Sequence, residues 1–272
     1  MLLEVNQLTV QLGGRRVVDS LSFELDQGER LALIGESGSG KSLTLAAILG
    51  LTPPGALVTG SVRLAGQEIL GLPERQLATL RGKTVGAVFQ DPLTALDPIR
   101  TVGRQLTDSL RNHYRLNKTE LKRRALEMLR QVQLLEPETF LRRYPHQLSG
   151  GQRQRVALAQ ALISSPRLIL ADEPTTSLDV SVQAGVLDLL ARLVQNLGSA
   201  QLFVTHDISL LPLVADRAIV MSQGQAVEKA NLETLLQQPS HAVTQDLIKA
   251  ARATAWTQPD PSAPTVETGA AV

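Results

Sequence analysis

The sequence predicts an α/β fold, a largely parallel sheet interrupted by a block of helices, and three observations carry that expectation. Nearly all-apolar runs stand at Arg30-Leu31-Ala32-Leu33-Ile34, Leu168-Ile169-Leu170-Ala171, Gln201-Leu202-Phe203-Val204-Thr205 and Ala218-Ile219-Val220-Met221. Strands buried on both faces of a parallel sheet have this composition. A helix-like stretch from Val182 to Leu197 separates the second run from the third, the alternation that parallel crossovers produce. From about Asp91 to Ser164 the pattern turns helical, with Leu121, Ala125, Met128, Leu129 and Val132 at helical spacing.

The N-terminal elements are of another kind. Leu3-Glu4-Val5 and Leu8-Thr9-Val10 read as edge strands of alternating polarity, and Gly13-Gly14 as a turn. Val17-Val18 and Leu21-Ser22-Phe23-Glu24-Leu25 are further strands, closed by the turn Asp26-Gln27-Gly28-Glu29. The apolar run ending at Ile34 passes straight into a glycine loop, and Ser42 to Leu49 is helix-like. A second hairpin joins Ser61–Leu64 to Gln67–Ile69. In the helical block, Lys118, Lys122, Arg123, Arg124 and Arg130 alternate with the apolar positions. Such residues can touch lipid headgroups, but a solvated helix face is the commoner outcome of this pattern. The organisation is therefore a discontinuous core of residues 1–90 and 165–230, a helical insert of residues 91–164 and a C-terminal extension of residues 231–253. Residues 254–272, with Pro259, Pro261 and Pro264 among small polar residues, read as a disordered tail.

Composition narrows the function. The 272 residues suffice for one large domain, or two closely joined ones, with a substantial core. A formal net charge of +1 gives no electrostatic case for nucleic-acid binding. With no cysteine there is no disulfide, thiolate metal site or cysteine nucleophile. The start, Met1-Leu2-Leu3-Glu4-Val5-Asn6-Gln7, lacks the basic and apolar regions of a secretory leader. The most apolar stretch, Leu43 to Leu51, is too short to cross a bilayer. The expectation is a chain kept in the cytoplasm that reaches a membrane only through a partner.

Two strings carry the chemistry. Gly35-Glu36-Ser37-Gly38-Ser39-Gly40-Lys41-Ser42 fits the phosphate-loop pattern G-x-x-x-x-G-K-[ST] without mismatch. Its glycines let successive N–H groups curl inward around a phosphate, and the following helix adds the positive end of its dipole. Lys41 is placed for the β- and γ-phosphates, and the Ser42 hydroxyl for Mg²⁺. Leu148-Ser149-Gly150-Gly151-Gln152 is the second string. Ser149 and Gln152 fit a capping box for a helix over Gln152 to Ile163. A cap needs neither Gly150 nor Gly151, and two glycines at a helix start expose N–H groups to an anion. Further on, the run Leu168–Ala171 ends in Asp172-Glu173-Pro174. Asp172, at the sheet edge, is placed to hold Mg²⁺ through water, and Glu173 to polarise an attacking water. Thr205-His206-Asp207 and Val88-Phe89-Gln90-Asp91-Pro92 also follow apolar strands, but a polar residue at a strand end means little alone.

Read together, the two strings make the chain resemble the ATP-binding subunits of ABC transporters over about residues 1 to 250. The resemblance implies a P-loop NTPase core with an antiparallel β subdomain and an inserted helical subdomain. It also implies ATP and Mg²⁺ as ligands. His206 would contact the γ-phosphate, Gln90 would meet Mg²⁺ and the attacking water, and Ser177-Leu178-Asp179 would face the partner subunit. Two subunits would pair head to tail, so that Ser149, Gly150, Gly151 and Gln152 of one cap the ATP on the loop of the other. The family stacks an aromatic ring on adenine about thirty residues before Lys41, where this chain has Leu12. Leu12 packs on a base without aromatic stacking, and either Arg15 or Arg16 is available to stack instead.

Several segments are similar to one branch, the ATPase subunits of oligopeptide, dipeptide and nickel importers. They are the phosphate loop, Phe89-Gln90-Asp91-Pro92-Leu93-Thr94-Ala95-Leu96-Asp97-Pro98, Tyr144-Pro145-His146-Gln147 and Pro239-Ser240-His241-Ala242-Val243-Thr244. Branch members usually have Pro and Tyr where this chain has Ala242 and Val243, and many carry a C-terminal cysteine cluster that is absent here. The branch implies two transmembrane permeases, a second ATPase that is a paralogue or a copy of this chain, and an extracytoplasmic binding protein. It places the subunit at the cytoplasmic face of the inner membrane. ABC ATPases of DNA repair or translation are the alternative. Repair members carry long coiled coils and translation members two cassettes, whereas here no stretch sustains heptads and each motif occurs once.

Overall fold

The structure, a computed structural model, describes residues 1–91, 95–176 and 179–254. Two sheets dominate it. Strands β1 (Leu3–Leu12), β2 (Arg15–Leu25), β4 (Leu57–Leu64) and β5 (Gln67–Glu68) form an antiparallel sheet in the order β2-β1-β4-β5. The other six are β3 (Arg30–Gly35), β6 (Val85–Val88), β7 (Leu168–Asp172), β8 (Ala200–Thr205), β9 (Arg217–Ser222) and β10 (Gln225–Asn231). They lie in the order β10-β9-β3-β8-β7-β6, parallel except for β10.

Strand alternation divides the interior into two cores. Leu31, Leu33, Leu168, Leu170, Leu202 and Val204 face the antiparallel sheet and helix α1 (Lys41–Leu49). Ala32, Ile34, Ile169, Ala171, Phe203 and Val220 face the opposite way, onto the helical side. That side holds α3 (Val102–His113), α4 (Lys118–Gln131), α5 (Pro137–Phe140), α6 (Gly150–Leu162) and α7 (Val180–Leu197). Short α2 (Glu74–Leu80) precedes β6, and α8 (Leu211–Val214), α9 (Leu232–Gln237) and α10 (Ala242–Thr254) complete the described chain. Among the described residues no helix is long and apolar enough to cross a membrane.

The N-terminal reading needs two corrections, the first being that Val17-Val18 and Leu21–Leu25 are parts of one strand, β2. Leu3–Val5 and Leu8–Val10 are not two edge strands but one strand, β1, inside the sheet between β2 and β4. Gln7 interrupts it with φ +51°, and the pairing with both neighbours shifts register there. The kink survives because Gln7 N–H donates to Ser22 Oγ at 2.8 Å. On its other side Gly60 admits the Gln7 carbonyl where a Cβ would stand 2.5 Å from it.

In α4 the residues at helical spacing, Leu121, Ala125, Met128 and Leu129, are all buried. The basic residues pair on its outer face. Arg123 and Arg124 both reach the Glu120 carboxylate, at 2.8 and 2.9 Å, and together pull its pKa down to about 2. This is the solvated-face outcome.

The helical block meets the sheet at a close backbone contact. A Cβ on Gly86 of β6 would stand 2.3 Å from the Ala161 carbonyl of α6. Gly86→Ala therefore forces strand and helix apart, and overpacking of this sort costs about 1–3 kcal/mol. A chemical denaturation curve should show that loss as a lowered midpoint.

Candidate functional site

Parallel strands deliver their C-terminal ends to one edge, and the chemistry-bearing residues gather there. β3 ends at Gly35 and turns through the glycine loop into α1. Close approach explains the loop's composition. A Cβ on Gly35 would lie 2.1 Å from the Met221 carbonyl, and one on Gly40 would lie 2.6 Å from that of Val17. Gly40 also has φ +103°, which L residues with side chains rarely adopt. β2 thus lies directly against the loop, and its hairpin with β1 carries Leu12 opposite Arg15. Leu12 is half-buried and Arg15 exposed. Arg16 is engaged with Asp19 at 3.3 Å.

Lys41 is buried, and its ammonium donates to the Gly35 and Glu36 carbonyls at 2.8 and 2.7 Å. Burial lowers its pKa, against the opposing pull of Glu173, Asp172 and Glu36. Ser42, one residue on, donates to Asp172 Oδ1 at 2.9 Å. Burial raises the Asp172 pKa and neighbouring Glu173 raises it further, while the Ser42 hydrogen bond and Lys41 act the other way. Loop and acidic strand end are therefore in direct contact.

Glu173 stands beyond β7 at φ +43°, its N–H donating to the Val204 carbonyl at 3.0 Å. This left-handed residue turns the chain, and both its carboxylate oxygens are occupied. Oε1 lies 2.9 Å from His206 Nδ1, and Oε2 accepts from the Thr176 hydroxyl at 3.1 Å. The Glu173 side chain is 15% exposed and that of His206 52%, so the imidazole is the movable partner. Glu173, Thr176, Thr205 and His206 line a cavity of about 160 Å³. Thr176 was not singled out in the sequence. Its one signal is the spacing of three residues after Glu173, the acid just beyond a strand end.

Gln90 is exposed on the loop after β6. Val88 pairs in register with Ala171, so Gln90 leaves β6 at the level where Glu173 leaves β7. Pro92–Thr94 of that segment lie outside the described residues, as do Ser177 and Leu178. Asp179 is exposed at the N-cap of α7, and its side chain makes no capping bond.

The second string opens α6. Ser149 Oγ accepts from Gln152 N–H at 3.3 Å, and Gln152 Oε1 accepts from Ser149 N–H at 3.0 Å, which completes the capping box. Ser149 is exposed, and α6 packs on β6, α3, α4 and α7. Gly151 faces α7 closely enough that a Cβ would meet Val182 at 3.0 Å.

Comparisons with known proteins identify the family. The family model described as "ABC transporter" matches residues 18–176. The chain belongs to the ABC transporter family. Its cassette is 42% identical to the oligopeptide transport ATP-binding protein OppD of Bacillus subtilis, over 91% of this chain and 71% of that protein. It is 41% identical to the dipeptide transport ATP-binding protein DppD of Escherichia coli K12, over 92% of this chain and 78% of that one. It is also 46% identical to the peptidoglycan transport ATP-binding protein YejF of Agrobacterium fabrum. That alignment covers 92% of this chain but about half, 47%, of the relative. Among solved structures, the dimeric post-hydrolysis cassette MJ0796 bound to ADP and Pi superposes with a TM-score of 0.75 at 32% identity. The match covers 85% of this chain and 98% of that one. The cassette is thus an ABC-type ATPase, with ATP and Mg²⁺ as its ligands.

The residues present fit that metal. No group of three or more His, Cys, Asp or Glu able to hold a metal occurs among the described residues. One hydroxyl and one carboxylate, Ser42 and Asp172, are what Mg²⁺ needs when phosphate oxygens and water supply the rest.

Lys41→Met tests the charge arrangement. It removes a buried ammonium, leaving the Gly35 and Glu36 carbonyls without their donor and Asp172 and Glu173 without a neighbouring positive charge, a one-sided loss that destabilises. The nucleotide-free cassette should fall in Tm by about 3 °C or more, while ATP affinity falls by about a hundredfold or more on losing a charge-assisted contact. Calorimetric titration with ATP and thermal melts check the two halves.

Proposed function

We propose that this chain is the energising subunit of an importer for peptides or chemically related small ligands, working beneath membrane-embedded permeases. The observation that carries the reading is the division of the ATP chemistry within one chain. Lys41, Ser42, Asp172, Glu173 and His206 gather at the edge of the sheet, while the anion-ready start of α6 stands exposed elsewhere. Such an arrangement is completed by a second subunit in the opposite orientation, whose Ser149, Gly150, Gly151 and Gln152 close the γ-phosphate side. The names of the relatives, oligopeptide and dipeptide transport among them, support peptides ahead of nickel as cargo and transport ahead of DNA repair or translation.

In this reading each side chain has one task. Lys41 exchanges the Gly35 and Glu36 carbonyls for β- and γ-phosphate oxygens, at little cost because its desolvation is already met. Ser42 and Asp172 hold Mg²⁺, which neutralises charge on the transferring phosphoryl group. Glu173 is the general base, with Thr176 fixing one of its oxygens. Its other oxygen is covered by His206, so the imidazole must leave it for the γ-phosphate before Glu173 can take a proton from water. Gln90 meets Mg²⁺ and the attacking water from the loop that leads into the helical block, Asp179 faces the partner cassette, and Leu12 packs on the base. A groove of about 530 Å³ lined by Phe89, Arg100, Asp108 and His113 lies beside the segment that leads to Gln90.

Two substitutions separate base from cap. Glu173→Gln should keep ATP affinity, lose turnover by about a thousandfold, and accumulate as an ATP-bound dimer on size exclusion. Ser149→Arg should stop turnover while leaving ATP binding to its own phosphate loop intact. An equal loss of binding would reduce Ser149 to a helix cap.

The transport reading is tested by gentle detergent extraction of the tagged chain from native membranes, followed by mass spectrometry. Two multi-span permeases and an ATPase partner are the expected companions. Recovery with DNA or ribosomes and no membrane protein would overturn it.

A further inference from the structure

The segment Pro239–Thr244 has no task in the ATP chemistry, yet it is built around a single carboxylate. β10 is an edge strand, but its Glu228 is only 8% exposed. Glu228 accepts from Ser240 N–H at 2.8 Å, from His241 N–H at 3.1 Å and from the hydroxyl of fully buried Thr244. His241 tightens the same turn, its Nδ1 accepting from Val243 N–H at 3.2 Å. Burial works against charge on Glu228, but the three donors outweigh it and hold the pKa below the ordinary carboxylate value. A charge that is costly to bury has thus been placed where it orders the first turn of α10 from another strand.

α10 then packs toward the segment that follows His206. Its Ile248 is buried in the helix-side core, and Val243, Leu247 and Ala251 pack on that core. The helix lies against β9 and against the single turn Ile208–Leu210. That turn is the continuation of His206-Asp207. The Asp207 carboxylate accepts from Ser209 N–H at 2.9 Å and from its hydroxyl at 2.6 Å, which makes the segment one unit. Ile208 is buried at the base of this unit, and Leu210 lines the cavity shared with Glu173 and His206.

We propose that the Glu228 clasp is a positioning device for His206: by fixing the start of α10 it seats that helix on the Ile208–Leu210 turn and holds the imidazole at Glu173. The inference rests on the roles given above to His206 and Glu173. Glu228, Ser240 and Thr244 touch neither nucleotide nor reacting atoms. Their effect passes through packing, so it falls on turnover and not on ATP binding.

The test uses the full chain in its assembled complex. Thr244→Val removes one hydroxyl and keeps the shape of the side chain, and Glu228→Gln removes the charge. Both should speed amide hydrogen exchange in residues 242–248 and also in residues 206–210. Both should lower kcat by about fivefold or more with the KM for ATP within about twofold, and Thr244→Ser should restore kcat. Faster exchange confined to α10, with residues 206–210 and kcat unchanged, would overturn the proposal. His206→Ala separates the two claims. Full turnover in that variant would sink the role given to His206, whereas an inactive His206→Ala beside a fully active Thr244→Val would sink the clasp.

Discussion

Parallel strands leave a sheet at the same end, and in this chain that constraint assembles the site. β3 pairs with β8, β8 with β7 and β7 with β6, all parallel and without a register break. Ile34 therefore stands beside Thr205, Asp172 beside Val204, and Ala171 beside Val88. Each strand's next one to three residues carry chemistry: the glycine loop after Ile34, Glu173 after Asp172, His206 after Thr205 and Gln90 after Val88. A slip by one residue would turn every buried side chain to the wrong core and scatter these groups. The apolar load of the strands, divided between two cores, is what prevents the slip.

The charge arrangement follows from that convergence. Lys41, Asp172 and Glu173 come together at a partly dry edge, where an unpaired charge is costly. Without nucleotide each finds a substitute partner. The ammonium takes loop carbonyls, Asp172 takes the Ser42 hydroxyl, and Glu173 takes His206 and Thr176. These substitutes are the groups that Mg²⁺-ATP would displace or recruit. Binding is then an exchange of partners within a formed site and needs little rebuilding of the backbone. In the mechanism proposed above, the one group that travels is the half-exposed His206. This is why the packing behind it, from Ile208 to α10, bears on turnover.

Much of this was legible in the sequence, for identifiable reasons. β3, β7, β8 and β9 are buried on both faces, so they appear as mostly apolar runs, and the residues that end or follow them, Gly35 onward for β3, Glu173 after β7 and His206 after β8, are at the functional edge. The capping box of Ser149 and Gln152 is a local motif and needs no fold to be read. Contacts that exist only after folding were hidden. Thr176 acquires its role by reaching back to Glu173 across a turn, and Gly86 by meeting Ala161 of a helix seventy-five residues away. β1 was misread as two edge strands because alternation reports faces and not neighbours, and a kink at Gln7 imitates a strand end. β10 went unread because Glu228 in its middle looks like a solvated residue, and only the fold supplies the three donors that bury it.

The start of α6 shows why local satisfaction and function are different questions. Ser149 and Gln152 answer each other's backbone groups, and by that measure the helix is finished. Gly151 adds close packing on Val182, which gives it a structural reason of its own. Yet Ser149 is exposed, and the dipole of a thirteen-residue helix points outward through two glycines. A surface of that kind favours an anion, and this chain's own phosphate loop lies on the other side of the sheet's edge, with α1 in the opposite core. In the pairing proposed above, that anion is the nucleotide of a second cassette, and a dimer held this way would be closed by ATP itself and loosened when the γ-phosphate leaves. The close contact of Gly86 with Ala161 ties α6 to β6, the strand that leads to Gln90, so the helix that starts at Ser149 and the loop of Gln90 are built on one rigid contact.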